Sequence, residues 1–394
     1  MWFSKQNTEQ SEGQFGYLGP KDIYMDTACQ TLRPQTVIDA EQEYYQTANA
    51  CGGRSAYPWA QKVDARVERV RSRFLKILGL SEREYLTFFG LNTTWSINLI
   101  LNSLDWTEYD QIITTDIEHN SVFLPVMQLA KQHQKERIIL SREDSGAVIY
   151  DPSTFRKPVV ILNTTSNIDG RELENREQLI TDVHQAGGIV LLDACQTFGH
   201  GFQDLAGTQA DAIFGSGHKM YGPSLGIGVI RKSLVENMTP AVIGGGTVAG
   251  VTKDSFNLIT GENLSHRLEA GLQSWAAIWA MDASLDVIEQ ADWSHEQQLG
   301  IKLHTGLQNL GATILSGENS PVQTFYFENL ESSLVGKLLG QQGVMVRTGY
   351  FCCHYYLTSV QKLPHLVRMS LGLHSTEADV EKALEVLTQI KKLR

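Results

Sequence analysis

An α/β layered fold on a mostly parallel central sheet flanked by helices, with a smaller α+β unit at the C-terminal end, is predicted by three features of the 394-residue sequence. Short apolar runs recur through the middle of the chain: QIITTD (111–116), PVVILNT (158–164), GIVLLDA (188–194), DAIFGS (211–216) and GIGVIRK (226–232), each a strand candidate. Amphipathic segments separate them, the best at 63–78, where Val63, Val67, Val70, Phe74 and Ile77 recur at helical spacing. Near residue 280 the pattern changes. The helical stretch WAAIWAMDASLDVIEQ leads to TFYFEN, GVMVRTG and HLVRMSLG, and a last helix places Val380, Leu384, Leu387 and Ile390 on one face. A chain of this length exceeds what one core usually supports. The expected organisation is a segment 1–20 packing with the smaller unit, a large domain over 21–280 and a small domain over 281–394.

Composition narrows the function. The formal net charge of −11 argues against a nucleic-acid or anionic-membrane surface, leaving small molecules and proteins as partners. No run approaches the length of a membrane span, and the N-terminal stretch MWFSKQNTEQSEG has neither the apolar core of a signal peptide nor the basic composition of a transit peptide. Five cysteines, Cys29, Cys51, Cys195, Cys352 and Cys353, are few and odd in number, which disfavours a disulfide framework. A cytoplasmic protein with reduced thiols is the expectation.

Chemistry concentrates in FGSGHKMYGPSLGIG (214–228), where a single lysine, Lys219, stands among five glycines. A lysine whose surroundings favour the neutral amine is a nucleophile, and its best-known covalent use is a Schiff base to a carbonyl cofactor such as pyridoxal phosphate. Upstream, the apolar strand 189–192 ends in Asp193. Ligands bind at the carboxyl ends of strands in an α/β sheet, and a buried acid there could hold a protonated pyridine nitrogen. Ser216 and His218 could meet a phosphate, while Gly215 and Gly217 permit close backbone approach or positive φ. Hydroxyls and amides at the start of a helix near Thr94 favour an anion.

With these pieces in order, the chain resembles the fold-type I pyridoxal-phosphate enzymes of the class V aminotransferase group, and within it the cysteine desulfurases. The resemblance runs from YMDTACQTLRPQTVIDA (24–40) to VRMSLGLHSTEADVEKAL (367–384); SGHKMYGPSLGIG is its most specific piece, and DIEHNS, TSNIDG and LLDACQ fall in the expected order. It implies that Lys219 carries the Schiff base to pyridoxal 5'-phosphate, that Asp193 pairs with the ring nitrogen, and that His119 stacks on the ring and moves protons. It also implies that Gln196 bonds the phenolic oxygen, that Asn167 lies beside cofactor and substrate, and that Thr93 and Thr94 with Ser216 and His218 hold the phosphate. A homodimer follows from the same resemblance.

The reaction is indicated elsewhere, in RTGYFCC (347–353), which matches the desulfurase pattern Arg-x-Gly-x-x-Cys and places the reactive thiol at Cys352. Such a thiol attacks the sulfur of L-cysteine held on the cofactor, leaving a persulfide and releasing L-alanine; a sulfur-acceptor protein is then an expected partner. The thiolate is the nucleophile, so Arg347 or His354 nearby would matter. CCH lacks the two-residue gaps usual for zinc and no second cluster completes it, so no metal is expected. In the strand around HLVRMSL, Arg368 points away from Val367, Met369 and Leu371, free for bidentate capture of a carboxylate; the resemblance gives it the substrate carboxylate. GGGTVA (244–249) fits a loose dinucleotide template but opens no convincing helix.

Several positions depart from the family. Tyr350 and Phe351 stand where a histidine commonly precedes the reactive cysteine, Leu272 and Gln273 where many relatives place a threonine on the neighbouring subunit's phosphate, and Trp95-Ser96 follow the threonines in place of Glu-Gly. CGGRSAYPW (51–59) is also not the common desulfurase loop. These changes leave the substrate and sulfur acceptor open among a C–S lyase, a selenocysteine lyase, a relative of the molybdenum-cofactor sulfurases and an aminotransferase or epimerase. A degenerate fold serving as a binding module is disfavoured by the presence together of Lys219, Asp193, His119 and Gln196.

Overall fold

The computed structural model describes residues 13–53, 55–201 and 205–392. The chain enters through a two-residue strand, β1 (Ile23–Tyr24), and two helices, α1 (Gln35–Thr47) and α2 (Pro58–Ile77). Pro58 opens α2, where its missing N–H costs nothing. There follow β2 (Tyr85–Gly90), α3 (Thr93–Ser103), β3 (Gln111–Thr115), α4 (Asn120–Gln132), β4 (Glu136–Leu140), β5 (Pro158–Asn163), α5 (Arg176–Gln185), β6 (Ile189–Asp193), β7 (Ala212–Ser216) and β8 (Gly226–Arg231). After a short helix, α6 (Lys232–Glu236), the hairpin β9 (Val248–Val251) and β10 (Phe256–Leu258) precedes the long helix α7 (Trp275–Gln290).

Strands β2 to β8 form one sheet in the spatial order β2-β8-β7-β6-β5-β3-β4. GIGVIRK makes its expected strand, β8, but it runs antiparallel to both β2 and β7, while β4, β3, β5, β6 and β7 are parallel. Two strands, β2 and β4, add to the five expected from the apolar runs. YLTFFG is buried along its whole length. At the edge, β4 is only partly covered, and its charged start hides it from a search for apolar runs.

Alternate residues of the inner strands feed two cores. Val160 and Leu162 join α2 and α7 on one face, while Val159 and Ile161 join α3 and α4 on the other. Burial of both faces explains why these strands read as continuous apolar runs. Helix α2 is also pinned by charge. Arg66, Arg69 and Arg73 converge on the buried carboxylate of Asp282 in α7, and Arg71 forms a bidentate pair with Glu269 at 2.8 and 2.7 Å. Glu269 also accepts the N–H of Phe89 in β2 at 2.8 Å.

The remaining elements are α8 (Trp293–Asn309), β11 (Thr313–Ile314), β12 (Val322–Tyr326), α9 (Ser332–Gln341), β13 (Val344–Met345), β14 (Arg347–Gly349), β15 (Leu366–Ser370) and α10 (Glu377–Lys392). Four of them form an antiparallel sheet in the order β11-β12-β15-β14. Its core takes Val367, Met369 and Leu371 along one face of β15, together with Leu303 of α8 and Val380, Leu387 and Ile390 of α10. Core membership switches between Ile288 of α7 and Leu299 of α8. Ile23 and Met25 also enter this smaller core, because β1 pairs in parallel with β13. Of the expected N-terminal packing segment, residues 1–12 lie outside the described residues. Phe15 packs edge-on to His374 at 5.5 Å and against Tyr221 at 6.5 Å, where the two units meet.

The Arg71–Glu269 pair yields a stability prediction. Glu269→Ala leaves the buried Arg71 guanidinium only the exposed Glu68 and the Thr87 carbonyl and should destabilise the fold by about 3–5 kcal/mol in urea unfolding, whereas the double replacement Arg71→Met/Glu269→Leu, which orphans the Phe89 N–H but no buried charge, should cost less. Equal losses for both would show the pair to be incidental.

Candidate functional site

The strands of the parallel set end along one rim of the sheet, and each end delivers side chains to the same cavity. After β2 come Asn92, Thr93 and Thr94; after β3, His119; after β5, Asn167; after β6, Asp193 and Gln196; after β7, Ser216, His218 and Lys219. The smaller unit closes the cavity with Arg347, Phe351, Cys352 and Arg368. The eleven residues given a catalytic, cofactor or substrate role from the sequence therefore line one space of about 230 Å³, together with Arg347; His354 is not among its lining.

Local geometry equips this rim. Asn92 caps α3 by accepting the N–H of Trp95 at 2.9 Å. Thr94 hydrogen-bonds the Ser121 hydroxyl at 2.6 Å, whereas Thr93 donates its hydroxyl to the Gly215 carbonyl at 2.7 Å. Thr93 thus has its hydroxyl hydrogen committed to the sheet, which leaves its main-chain N–H at the helix start as its contribution to an anion site. Ser216 meets Nδ1 of His218 at 2.7 Å. Gly215 and Gly217 do not use positive φ; a Cβ on them would strike the Phe198 ring at 2.1 Å and the Pro223 carbonyl at 2.3 Å. Close packing, the other reason for glycine, is the one that applies.

Asp193 is 6% exposed and accepts the N–H of Cys195 at 3.1 Å; no ion pair to it is formed among the described residues. Gln196 donates one Nε2 hydrogen to the Ala28 carbonyl at 2.9 Å, leaving the other for a ligand. His119 caps α4, its Nδ1 accepting the N–H of Ser121 at 3.1 Å, so the proton of the neutral ring sits on Nε2. Burial and the nearby Lys219 ammonium hold the pKa of His119 down to about 4, and the same two causes bring His218 to about 4.

Behind the rim lies a network the sequence motifs did not expose. Glu118, fully buried, accepts N–H and Nδ2 of Asn163 at 2.8 and 3.0 Å and faces Arg142 at 3.7 Å; burial raises its pKa to about 7. Glu118 was visible within DIEHNS, but nothing in the sequence paired it with Arg142. Asp26, in the YMDTA stretch, meets Nη2 of Arg368 at 3.4 Å.

Cys352 is exposed at the tip of a tight turn, and Cys353 is buried. The Cys353 N–H returns to the Tyr350 carbonyl at 2.8 Å, and both central residues, Phe351 (φ 46°) and Cys352 (φ 59°), are left-handed. Each such L-residue costs on the order of 1–2 kcal/mol. Gly349, at φ 120°, leads into the turn from a conformation only glycine adopts readily. The Asn120 N–H, in the first turn of α4, donates to the Cys352 carbonyl at 2.7 Å and holds the tip against the large unit. Cys353 donates to Asn167 Oδ1 at 3.1 Å, and burial raises its pKa. His354 Nδ1 meets Asn120 Nδ2 at 3.1 Å.

Comparison with known proteins places this geometry. The pattern of the Aminotransferase class-V family matches residues 23–383. The chain belongs to that family. A probable cysteine desulfurase of Haemophilus influenzae is 29% identical over 96% of this chain and 90% of its own length. A cysteine desulfurase of Klebsiella pneumoniae is 29% identical over 94% of each. The apo structure of a cysteine desulfurase from Thermococcus onnurineus NA1, 26% identical, superposes with a TM-score of 0.85 over 95% of both chains.

Class-V aminotransferases work with pyridoxal phosphate, and the residues here fit it. A buried carboxylate without an ion pair among the described residues, a lysine lining the same cavity, a neutral histidine and a helix N-terminus ringed by hydroxyls are the donor set for a cationic ring nitrogen, an aldehyde, a flat ring and a phosphate. Lys219, Asp193, His119 and Gln196 would hold the ring, and Thr94, Ser216 and His218 the phosphate, with the Thr93 amide. GGGTVA leads into the β9–β10 hairpin, which offers none of the strand-to-helix geometry of a dinucleotide site.

The histidines make a pH prediction. Their folded pKa values near 4 lie below the ordinary 6.5, so between pH 6.5 and 4 the unfolded chain takes up protons that the folded one refuses, and their contribution to stability declines as pH falls through that window. In cofactor-free protein, the ring proton resonances assigned through His119→Asn and His218→Asn should stay flat from pH 8 to about 5 while exposed histidines titrate. Midpoints near 6.5 for these two rings would contradict the assignment.

Proposed function

We propose that this chain is a pyridoxal-phosphate-dependent cysteine desulfurase, a sulfurtransferase that converts L-cysteine to L-alanine and takes the sulfur onto Cys352 as a persulfide. The observation that carries this reading is the convergence of Cys352, Lys219 and Arg368 on one cavity, a thiol, an amine and a guanidinium delivered from two structural units.

When bound, the cofactor supplies an electron sink that weakens bonds at the substrate carbons near its nitrogen. Arg368, 3% exposed and with Nε unpartnered among the described residues, takes the substrate carboxylate; Asp26 and the Asn167 carbonyl hold the guanidinium in place. Lys219, in the same cavity, would hold the cofactor through its amine and, once that amine is free, would carry protons at the substrate α-carbon. His119, with its proton on Nε2, lines the same space. Asp193, buried and lining the same cavity, would pair with the ring nitrogen. The Cys352 thiolate attacks the substrate sulfur, the carbon–sulfur bond breaks with its electron pair left on carbon, and a proton completes alanine. Exposure of Cys352 then lets an acceptor thiol, on a protein or a small molecule, take the outer sulfur.

A homodimer accords with exposed apolar side chains on the large unit. Val251 and Phe256, paired across the β9–β10 hairpin, are 69% and 49% exposed, and Leu272 is 77% exposed. Among the described residues no helix is long and apolar enough to cross a membrane.

Purified protein incubated with L-cysteine should form alanine and sulfide in equal amounts when a reductant is present, and a persulfide on Cys352 when it is not. Cys352→Ala should lower alanine formation by more than about a hundredfold while keeping the visible absorption of the bound cofactor, and Lys219→Ala should abolish that absorption. Full turnover by Cys352→Ala would exclude the mechanism.

A further inference from the structure

The residues flanking Cys352 reach back to the carboxylate-binding arginine. The ring of Phe351 lies 4.8 Å from the Arg368 guanidinium carbon, and its carbonyl accepts Asn167 Nδ2 at 2.9 Å. The Asn167 carbonyl in turn accepts Arg368 Nη1 at 3.0 Å. Three residues therefore close a ring of contacts, and the reactive cysteine is covalently next to one of them. On its other side, Cys353 donates to Asn167 Oδ1, which fixes the direction in which the amide faces and keeps Nδ2 turned to Phe351.

Backbone preference opposes this arrangement. Phe351 and Cys352 are consecutive non-glycine residues with positive φ, a conformation that persists only where surrounding contacts hold it. The contacts that hold it are those just named, the Asn120 bond to Cys352, and a small apolar cluster in which Phe351 packs with Ile168, Leu357 and Leu366. A turn held against its backbone preference by a few contacts responds to anything that strengthens or weakens those contacts.

We propose that Phe351 is a positioning residue that couples carboxylate recognition at Arg368 to docking of Cys352. A carboxylate on the unpartnered Nε adds to the contacts that already hold the guanidinium, the guanidinium so fixed holds the aromatic face, and the ring and carbonyl of Phe351 keep the thiol turned into the cavity. Coupling is reciprocal: docking the turn tightens carboxylate binding by the same factor. The inference rests on the cysteine desulfurase reading and identifies how that site brings its second reactant into place.

The test uses holoenzyme and L-alanine, which carries the α-carboxylate and no sulfur. The alkylation rate of Cys352 by iodoacetamide is read by mass spectrometry with and without saturating L-alanine, beside KM and kcat for L-cysteine. In the wild type L-alanine should slow alkylation roughly tenfold, the size of one partly desolvated cation–π contact. Phe351→Leu keeps the apolar anchor but lacks a π face; it should lose most of that protection and raise KM, and Phe351→Tyr should restore both. Equal protection in the wild type and Phe351→Leu would show the ring to be an apolar plug and overturn the coupling. Phe351→Ala, which removes the anchor as well, should leave Cys352 fast-reacting in either condition; protection retained there would also overturn it. Alanine formation from L-cysteine is measured in the same samples. A wild type that forms none removes the desulfurase reading and the coupling with it, whereas one that forms alanine while protection is unchanged in the variants removes the coupling alone.

Discussion

The direction of the strands governs everything else in this molecule. With β4, β3, β5, β6 and β7 parallel and β2 running the same way, their carboxyl ends share one rim, and only β8 runs against them. Residues as far apart as Thr94 and Lys219 become neighbours because each stands just beyond a strand end. Burial on both faces makes that rim rigid. A flat cofactor needs its ring nitrogen, aldehyde and phosphate met at fixed separations, and strand ends in hydrogen-bonded register provide them, as with Asn163 opposite Asp193 and Ser216 opposite Gly226.

The rim is completed by a unit built on different rules. In the small antiparallel sheet β15 is buried on both faces, and the alternation that sends Val367 and Met369 into the small core sends Arg368 toward the cavity. On the function proposed above, the large unit supplies the cofactor site, and the small unit supplies the carboxylate receptor, Arg368, and a thiol on a strained turn. Such a division suits a reaction in which one group must stay still while another arrives and leaves.

Electrostatics follow the same division. The chain as a whole is acidic, with a net charge of −11, yet Lys219, Arg347 and Arg368 all face the cavity. An anionic cofactor and a substrate carboxylate are attracted to a local field opposite to that of the surface. Burial suppresses protonation of His119 and His218, so the imidazoles add no further charge at neutral pH. Cys353 is kept as the buried thiol, leaving Cys352 as the exposed one of the adjacent pair.

Much of this was legible in the sequence, because strand, loop and helix N-terminus leave local marks. Lys219 among glycines, Asp193 at the end of an apolar strand and Cys352 in RTGYFCC each announce a role through residues adjacent in the chain. The outward turn of Arg368 followed from the alternation of its own strand. The edge strand β4, the reversed direction of β8 and the packing reason for Gly215 and Gly217 were not legible, since each depends on what lies across a sheet or against a ring. The same holds for Glu118 with Arg142, for the commitment of the Thr93 hydroxyl to Gly215, and for Phe351 over Arg368. A sequence states which groups a site can draw on through short-range pattern. Which of them touch, and which are already engaged, is settled by contacts between residues tens to hundreds of positions apart, and only tertiary packing sets those distances.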